Sequence, residues 1–98
     1  MFTYIGLIKV PPEGREHPDK AHEHLEKVVE IIKDEGGTLE RALALMDPWD
    51  FLADFLVIVE YPDNETPFRV LAKIGELEVV ETQTFPVEDV AVLMKAFV

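Results

Sequence analysis

The sequence predicts an α+β domain with the order β-α-β-β-α-β, a four-stranded antiparallel sheet and a short C-terminal helix. The first observation is the stretch Ala53–Tyr61, which is continuously apolar from Phe55 to Val59 and ends in turn residues, as is typical of a strand buried on both faces. The second is the pair Gly36-Gly37, which separates a helical pattern from an extended one. The third is the length of 98 residues, which fits one domain over residues 1–98.

The composition limits the classes of partner. Twenty acidic and nine basic residues give a net charge of −11. This charge opposes binding to nucleic acid, which needs Lys and Arg to neutralise phosphates, and binding to an anionic membrane. The chain has no cysteine and no serine, so thiolate metal sites and serine or cysteine nucleophiles are excluded. The sequence has no signal-peptide pattern and no membrane span, so we expect a cytoplasmic protein. We also expect no cofactor.

The first half of the chain reads as strand, helix and strand. Phe2–Lys9 alternates apolar residues on both faces and predicts a strand. Pro18 suits the first position of a helix that continues to about Glu35, where Gly36-Gly37 ends it. The apolar stripe of this helix is Ala21, Leu25, Val28, Val29 and Ile32. Thr38–Met46 is predicted as the second strand, although its Ala and Leu residues favour helices.

The second half repeats the pattern after the strand Ala53–Tyr61. Thr66 is predicted as the N-cap of a helix with Pro67 at its first position. The predicted inner face of this helix is Phe68, Leu71, Ala72 and Gly75. Glu76–Phe85 is predicted as the fourth strand, and Val87–Val98 as a terminal helix. The apolar stripe of that terminal helix is Val90, Leu93, Met94 and Phe97.

This order is the split βαβ arrangement of ferredoxin-like folds, which place both helices on one face of the sheet. The other face stays open. The first strand and the strand Ala53–Tyr61 are apolar on both sides, and a bare apolar sheet face is too large a patch for a monomer. We therefore expect a homodimer or a higher oligomer through the open sheet face.

Several runs of the sequence resemble GYD domain proteins. They are Asp54–Asp63, Tyr4–Lys9, Gly36–Leu39, and Val80–Phe85 with Val87–Asp89. The resemblance spans nearly the whole chain. It implies a ferredoxin-like fold in the form of a dimeric α/β barrel, and it implies no particular reaction. A second resemblance in topology is to the effector-binding domain of Lrp/AsnC-type regulators, without their helix-turn-helix.

The Gly-Tyr-Asp motif that names the family is altered in this chain. In one alignment Leu52-Ala53-Asp54 stands at the motif, and only the aspartate matches. In the other, Trp49-Asp50 replaces the tyrosine and aspartate, and Phe51–Asp54 is an insertion. In either alignment the most characteristic positions of the family are altered, and both alignments stay open.

Histidines and aspartates are weak candidates for a metal site. His22 and His24 are two residues apart, roughly 200° around a helix, and His17 precedes them. Because metal-binding pairs on a helix need i, i+4 spacing, no metal site is expected. The acidic loop that surrounds Trp49 lacks the glycine of calcium-binding loops, so turn formation is its simpler interpretation. Those acids are Asp47, Asp50 and Asp54.

A small-molecule site between the sheet and the helices is the remaining chemical hypothesis. Its candidate residues are Tyr4, His24, Arg41, Trp49, Asp54 and Glu60. His24 lies at the edge of the helical stripe, and Asp54 opens a buried strand and therefore needs a partner, such as Arg41 or Arg69. A few polar groups in an apolar pocket are typical of ligand sites. For Tyr4, a role in the core or an interface is the simpler interpretation.

Three functions follow as hypotheses. The first is an oligomeric module that binds a small molecule or another protein and has no catalysis of its own. The second is a cofactor-free enzyme of the dimeric α/β barrel type, such as a monooxygenase or an isomerase. The third is an effector-binding domain, which for an anionic effector would need a basic pocket from Lys9, Arg41 and Arg69.

Overall fold

The computed structural model of the chain describes residues 1–10, 18–45, 54–77 and 81–96. The elements within these residues are β1 (Phe2–Lys9), α1 (Pro18–Asp34), β2 (Thr38–Ala44), β3 (Phe55–Tyr61), α2 (Thr66–Leu77), β4 (Glu81–Val87) and α3 (Val90–Lys95). The predicted order β-α-β-β-α-β with a short C-terminal helix is confirmed. Among these residues, no helix has the length and apolar character needed to cross a bilayer.

β1 and β3 form the centre of one antiparallel sheet with the strand order β2-β3-β1-β4. The register places Tyr4 opposite Val59 and Ile8 opposite Phe55. On its other edge, β1 pairs with β4. β1 and β3 therefore have a hydrogen-bonded neighbour on each edge, and their two-sided apolar pattern places apolar side chains on both faces of the sheet.

One face of the sheet packs under α1 and α2 and forms the core. Its buried side chains come from alternate positions of the central strands and from the inner sides of both helices: Ile8, Val57, Val59, Tyr61, Val28, Ile32, Val70 and Ile74. None of them is more than 4% exposed. Burial of one such side chain contributes roughly 1.5–3 kcal/mol, so this layer is the main source of stability among the described residues.

Two glycines end α1 and turn the chain into β2. Gly36 has φ +97°, in the left-handed region that glycine adopts without steric cost. Its N–H donates to the carbonyl oxygen of Lys33 at 3.0 Å, and the N–H of Gly37 donates to that of Ile32 at 2.8 Å. Gly37 is buried, and a Cβ there would lie 2.8 Å from side-chain atoms of both Ile32 and Tyr61. The end of α1 can therefore approach the sheet closely.

The sequence predicted Thr66 as the N-cap of α2, but in the structure the carboxylate of Asp63 caps this end of the helix. Oδ1 of Asp63 accepts hydrogen bonds from the hydroxyl and the backbone N–H of Thr66, both at 2.7 Å, and from the N–H of Glu65 at 3.0 Å. The Thr66 hydroxyl and then its N–H hold the pKa of Asp63 below its usual range. A carboxylate satisfies these free helix donors better than a hydroxyl does.

The predicted inner face of α2 is wrong. Its buried residues are Thr66, Pro67, Val70 and Ile74. Of the predicted set, Phe68 is 71% exposed, Ala72 and Gly75 are exposed, and Leu71 is half-buried. Both sets have helical spacing, so the pattern alone is ambiguous. The cap at Asp63 fixes the start of the helix and turns the β-branched set towards the sheet.

Two predicted boundaries are also wrong. The fourth strand begins at Glu81 instead of Glu76, because α2 occupies part of the predicted strand. This strand continues past Pro86, which is tolerated because β4 is an edge strand. The terminal helix begins at Val90, not Val87.

Candidate functional site

Tyr4 lies at the end of the sheet where β1 begins. Its hydroxyl donates to Oδ1 of Asn64 at 3.0 Å, in the turn before α2. Its ring packs edge-on against Tyr61, with 5.5 Å between the ring centroids. Burial raises the pKa of Tyr61 to about 12, so that hydroxyl stays neutral at physiological pH. Tyr4 therefore combines a packing role with a hydroxyl at the surface.

Asp54 lies at the opposite end of the sheet, where β1 ends and β3 begins. Its Oδ2 accepts the N–H of Val10 at 2.9 Å. Its own N–H donates to the carbonyl oxygen of Ile8 at 2.8 Å, and its carbonyl oxygen accepts the N–H of Leu45 at 2.9 Å. One residue thus joins the ends of β1, β2 and β3. These hydrogen bonds give Asp54 a structural role at this end of the sheet.

His24 lies on the inner side of α1, one turn before the core residue Val28, and is 9% exposed. Its Nδ1 is buried and has no hydrogen-bond partner within the described part of the chain. Trp49 and the motif positions Leu52-Ala53 fall outside the described residues.

Glu60 and Arg41 lie on the face of the sheet opposite the core, which we call the open face. In the register, Arg41 is opposite Ile58. A β-bulge in β2 before Arg41 shifts the pairing and brings Glu40 beside Glu60. Hydrogen bonding to the Glu60 carboxyl, then burial and charge repulsion, raises the pKa of Glu40. Sequence reasoning missed Glu40 because an alternating pattern does not reveal a bulge.

The five candidate residues that the structure describes therefore lie in four places. The structure brings Glu60 and Arg41 onto one face, whereas Tyr4, Asp54 and His24 each lie elsewhere. Within the described ranges, no three His, Asp or Glu side chains group as a metal site.

Basic residues of α2 are engaged with the end of α1. The side chain of Glu35, which is 15% exposed, contacts Nζ of Lys73 and lies 3.4 Å from Nε of Arg69. The hydrogen bond with Lys73 is the main cause that lowers the pKa of Glu35 and raises that of Lys73. Arg69 also donates to the hydroxyl of Thr66 at 2.9 Å. Arg69, a predicted partner of Asp54, thus lies near the other end of the sheet and ties the helices together.

The layer between the sheet and the helices is filled by side chains in the described part of the chain. Its cavity measures about 20 Å³, room for about one water molecule. Gly6 forms part of its floor, and a Cβ there would lie 2.9 Å from Cγ2 of Val57. This cavity is too small for an enclosed organic ligand.

A larger groove of about 370 Å³ opens at the end of the sheet where β1 begins. Its lining residues are Met1, Phe2, Thr3, Tyr4, Asn64, Pro86, Val87 and Glu88. The volume is in the range of small-molecule pockets. The Tyr4–Asn64 hydrogen bond supplies its ordered polar groups.

The open face has an apolar centre that crosses all four strands. Its residues are Leu43, Leu56, Ile58, Ile5, Leu7, Phe85 and Val87. None of these seven is buried among the described residues, and Phe85 is 47% exposed. Charged residues surround this centre: Lys9, Glu40, Arg41, Glu60 and Glu81. An apolar centre with a charged rim is typical of protein interfaces.

Two solved structures share the fold. The 30S ribosomal protein S6 from Thermotoga maritima is 18% identical, with a TM-score of 0.63 over 97% of this chain and 95% of that chain. The de novo designed protein Foldit4 is 13% identical, with a TM-score of 0.52 over 90% of this chain and 96% of that chain. At these identities the likeness shows the ferredoxin-like fold alone. Among curated proteins, none matches this chain.

A family model, described as the GYD domain, matches residues 4–96. The match includes every strand except the first residues of β1, and it includes the three described helices. Because it covers nearly the whole sequence, the chain belongs to the GYD domain family.

Proposed function

We propose that this GYD domain is a self-associating module in which the open faces of two sheets stack on each other. The observation that carries the proposal is the apolar centre of the open face, with seven side chains across four strands and none of them buried. A two-fold dimer would cover this surface with an identical surface. Such a role requires no catalytic group.

The size of the open face is suited to part of a dimer interface. Four strands about 4.8 Å apart and roughly 23 Å long give a flat area of about 400 Å² per copy. The whole face, charged rim included, is as large as the exposed apolar patches of roughly 300–600 Å² that are often functional on ordinary proteins. Two stacked faces would bury about 800 Å², so contacts beside the sheets are needed to reach the roughly 1,000 Å² expected of a specific interface.

The charge of the open face favours a second copy over a basic partner. Its rim carries two basic and three acidic side chains, a net charge of −1. The whole chain carries −11. Most of the acidic charge is therefore away from this face, and two copies can approach through it with little repulsion.

The test is the mass of the protein in solution. Ile58→Asp places a charge at the centre of the open face, and Phe68→Asp makes a similar change at an exposed residue of α2. We expect a dimer for the native chain and for Phe68→Asp, and a monomer for Ile58→Asp. Sedimentation equilibrium over a range of concentrations measures this, and circular dichroism checks that both variants fold.

Two results would contradict the proposal. One is a native chain that stays monomeric at every concentration. The other is an Ile58→Asp variant that folds and dimerises as tightly as the native chain, which would place the interface elsewhere.

A second candidate function is small-molecule binding in the groove beside Tyr4. Its support is the volume of about 370 Å³ and the Tyr4–Asn64 hydrogen bond. A fragment screen by NMR should find ligands that shift signals of Tyr4 and Asn64, and Tyr4→Phe should weaken them. Hits that bind elsewhere, or bind Tyr4→Phe equally well, would remove this candidate.

The other hypotheses from the sequence have less support. An enzyme of the dimeric α/β barrel type needs room for substrate, and the layer under the helices has about 20 Å³. An anionic effector needs converging bases, but Arg69 contacts Glu35, and Arg41 lies on the open face.

A further inference from the structure

Helix α3 (Val90–Lys95) has apolar side chains that no other residue described by the structure buries. None of its residues is buried. Val90 is 69% exposed, and Leu93 and Met94 are each 56% exposed. These three residues share one side of the helix by their spacing, and Val92, which is 49% exposed, lies on the other side.

A helix this short is not stable by itself. Isolated helices of fewer than about 12 residues are marginal in water, because nucleation is costly. α3 has six residues. At its start Oδ1 of Asp89 accepts the N–H of Ala91 at 2.7 Å, and at its end the N–H of Ala96 donates to the carbonyl oxygen of Leu93 at 3.0 Å. Its stripe of Val90, Leu93 and Met94 therefore needs an apolar surface that the described part of the same chain does not provide.

The position of α3 connects it to the open face. It follows β4, the edge strand that contributes Phe85 and Val87 to the apolar centre. Asp89 is extended, with φ −62° and ψ 139°, and carries the chain beyond the end of the strand. The apolar surface thus continues along the chain from the sheet face to the helix.

We infer that α3 is an arm that packs against a second copy of this chain, beside the stacked sheets. The inference rests on the proposed self-association and deepens it. Stacked sheets alone would bury about 800 Å², which is less than the roughly 1,000 Å² expected of a specific interface, and two arms would add the missing area. The open face of a second copy would also offer the arm an apolar surface close to the point where the arm begins.

Matched substitutions on the two sides of α3 test the arm. Leu93→Glu places a charge on the stripe, and Val92→Glu places the same charge on the opposite side. Both residues are exposed in the single chain, so neither change should disturb its fold. We expect Leu93→Glu to raise the dimer dissociation constant about tenfold or more, and Val92→Glu to leave it within about threefold.

A thiol probe shows which chain the arm contacts. The native chain has no cysteine, so Leu93→Cys and Val92→Cys each introduce a single reactive group. We expect the thiol at position 93 to react slowly above the dissociation constant and fast below it. The thiol at position 92 should react fast throughout.

The outcomes separate the two proposals. If Ile58→Asp gives a monomer while Leu93→Glu dimerises like the native chain, the arm is wrong and the stacked sheets stand. Protection at position 93 that does not depend on concentration would mean that α3 packs on its own chain, which also overturns the arm. A native chain that never dimerises overturns both.

Discussion

The two faces of the sheet bury the same residue type to different extents. Ile8 and Ile5 lie three positions apart on β1. Ile8 faces the helices and is 1% exposed, whereas Ile5 faces away and is half-buried. Hydrophobicity alone therefore does not decide burial, because the side of the strand on which a residue lies decides it.

The packing around the two faces explains the difference. On the covered face, Gly37 lets the end of α1 approach Tyr61, and Gly6 makes room for Val57. The open face has large apolar side chains at its centre, such as Ile58 and Phe85, and no described helix buries them. The helices bury one face of the sheet within the single chain, whereas the apolar centre of the open face stays partly exposed among the described residues.

The largest expected effect compares Ile8→Ala with Ile5→Ala. Ile8→Ala leaves a cavity in the core and should lower the free energy of unfolding by about 3 kcal/mol. Ile5→Ala should lower it by no more than about 1 kcal/mol in the monomer. Urea unfolding at low protein concentration, followed by circular dichroism, measures both. Equal losses would mean that the two faces are equally packed in a single chain.

The next effect compares two glycines. A Cβ at position 37 would lie 2.8 Å from Ile32 Cγ2 and 3.0 Å from the Ile32 carbonyl oxygen, whereas position 75 has nothing within 4 Å. Gly37→Ala should therefore destabilise the fold by about 1–3 kcal/mol through overpacking. Gly75→Ala, on the exposed side of α2, should stabilise it by about 0.5–1 kcal/mol. Thermal unfolding of both variants gives the signs, and a Gly37→Ala variant as stable as the native chain would contradict the close approach.

The smallest effect concerns pH and the rim of the open face. Glu60 raises the pKa of Glu40 above the usual 4.5. An acid whose pKa is raised by folding stabilises the fold at a pH below its usual pKa. This stabilisation is lost as the pH rises through the raised pKa. The native chain should therefore lose some stability as the pH rises from mildly acidic to neutral, and the Glu40→Gln variant should not show this loss.

The measurement is the urea midpoint of the native chain and of Glu40→Gln at a series of pH values. Other titrating groups contribute equally to both proteins, so their difference isolates the Glu40–Glu60 pair. Glu23→Gln, on the exposed side of α1, is the matched control. Parallel profiles for the native chain and Glu40→Gln would show that the two carboxyls do not interact.

Sequence reasoning identified most helices and strands, but it did not identify which side of α2 faces the sheet. The strands Phe2–Lys9 and Phe55–Tyr61 and the start of α1 at Pro18 follow from local patterns. The inner face of α2 did not, because Val70 with Ile74 and Phe68 with Leu71 both fit helical spacing. The candidate site was harder still, since residues distant in sequence, such as Tyr4 and Asn64, meet through the turn before α2.

What the sequence determined by itself is the set of elements, because alternation, glycine and proline act within a few residues. It also determined that β1 and β3 have two apolar faces. The tertiary structure alone decided which face the helices cover, since this depends on the register of β1 with β3 and on the close approach at Gly37. It also decided that Glu40 meets Glu60, because a bulge in β2 shifts the pairing by one residue.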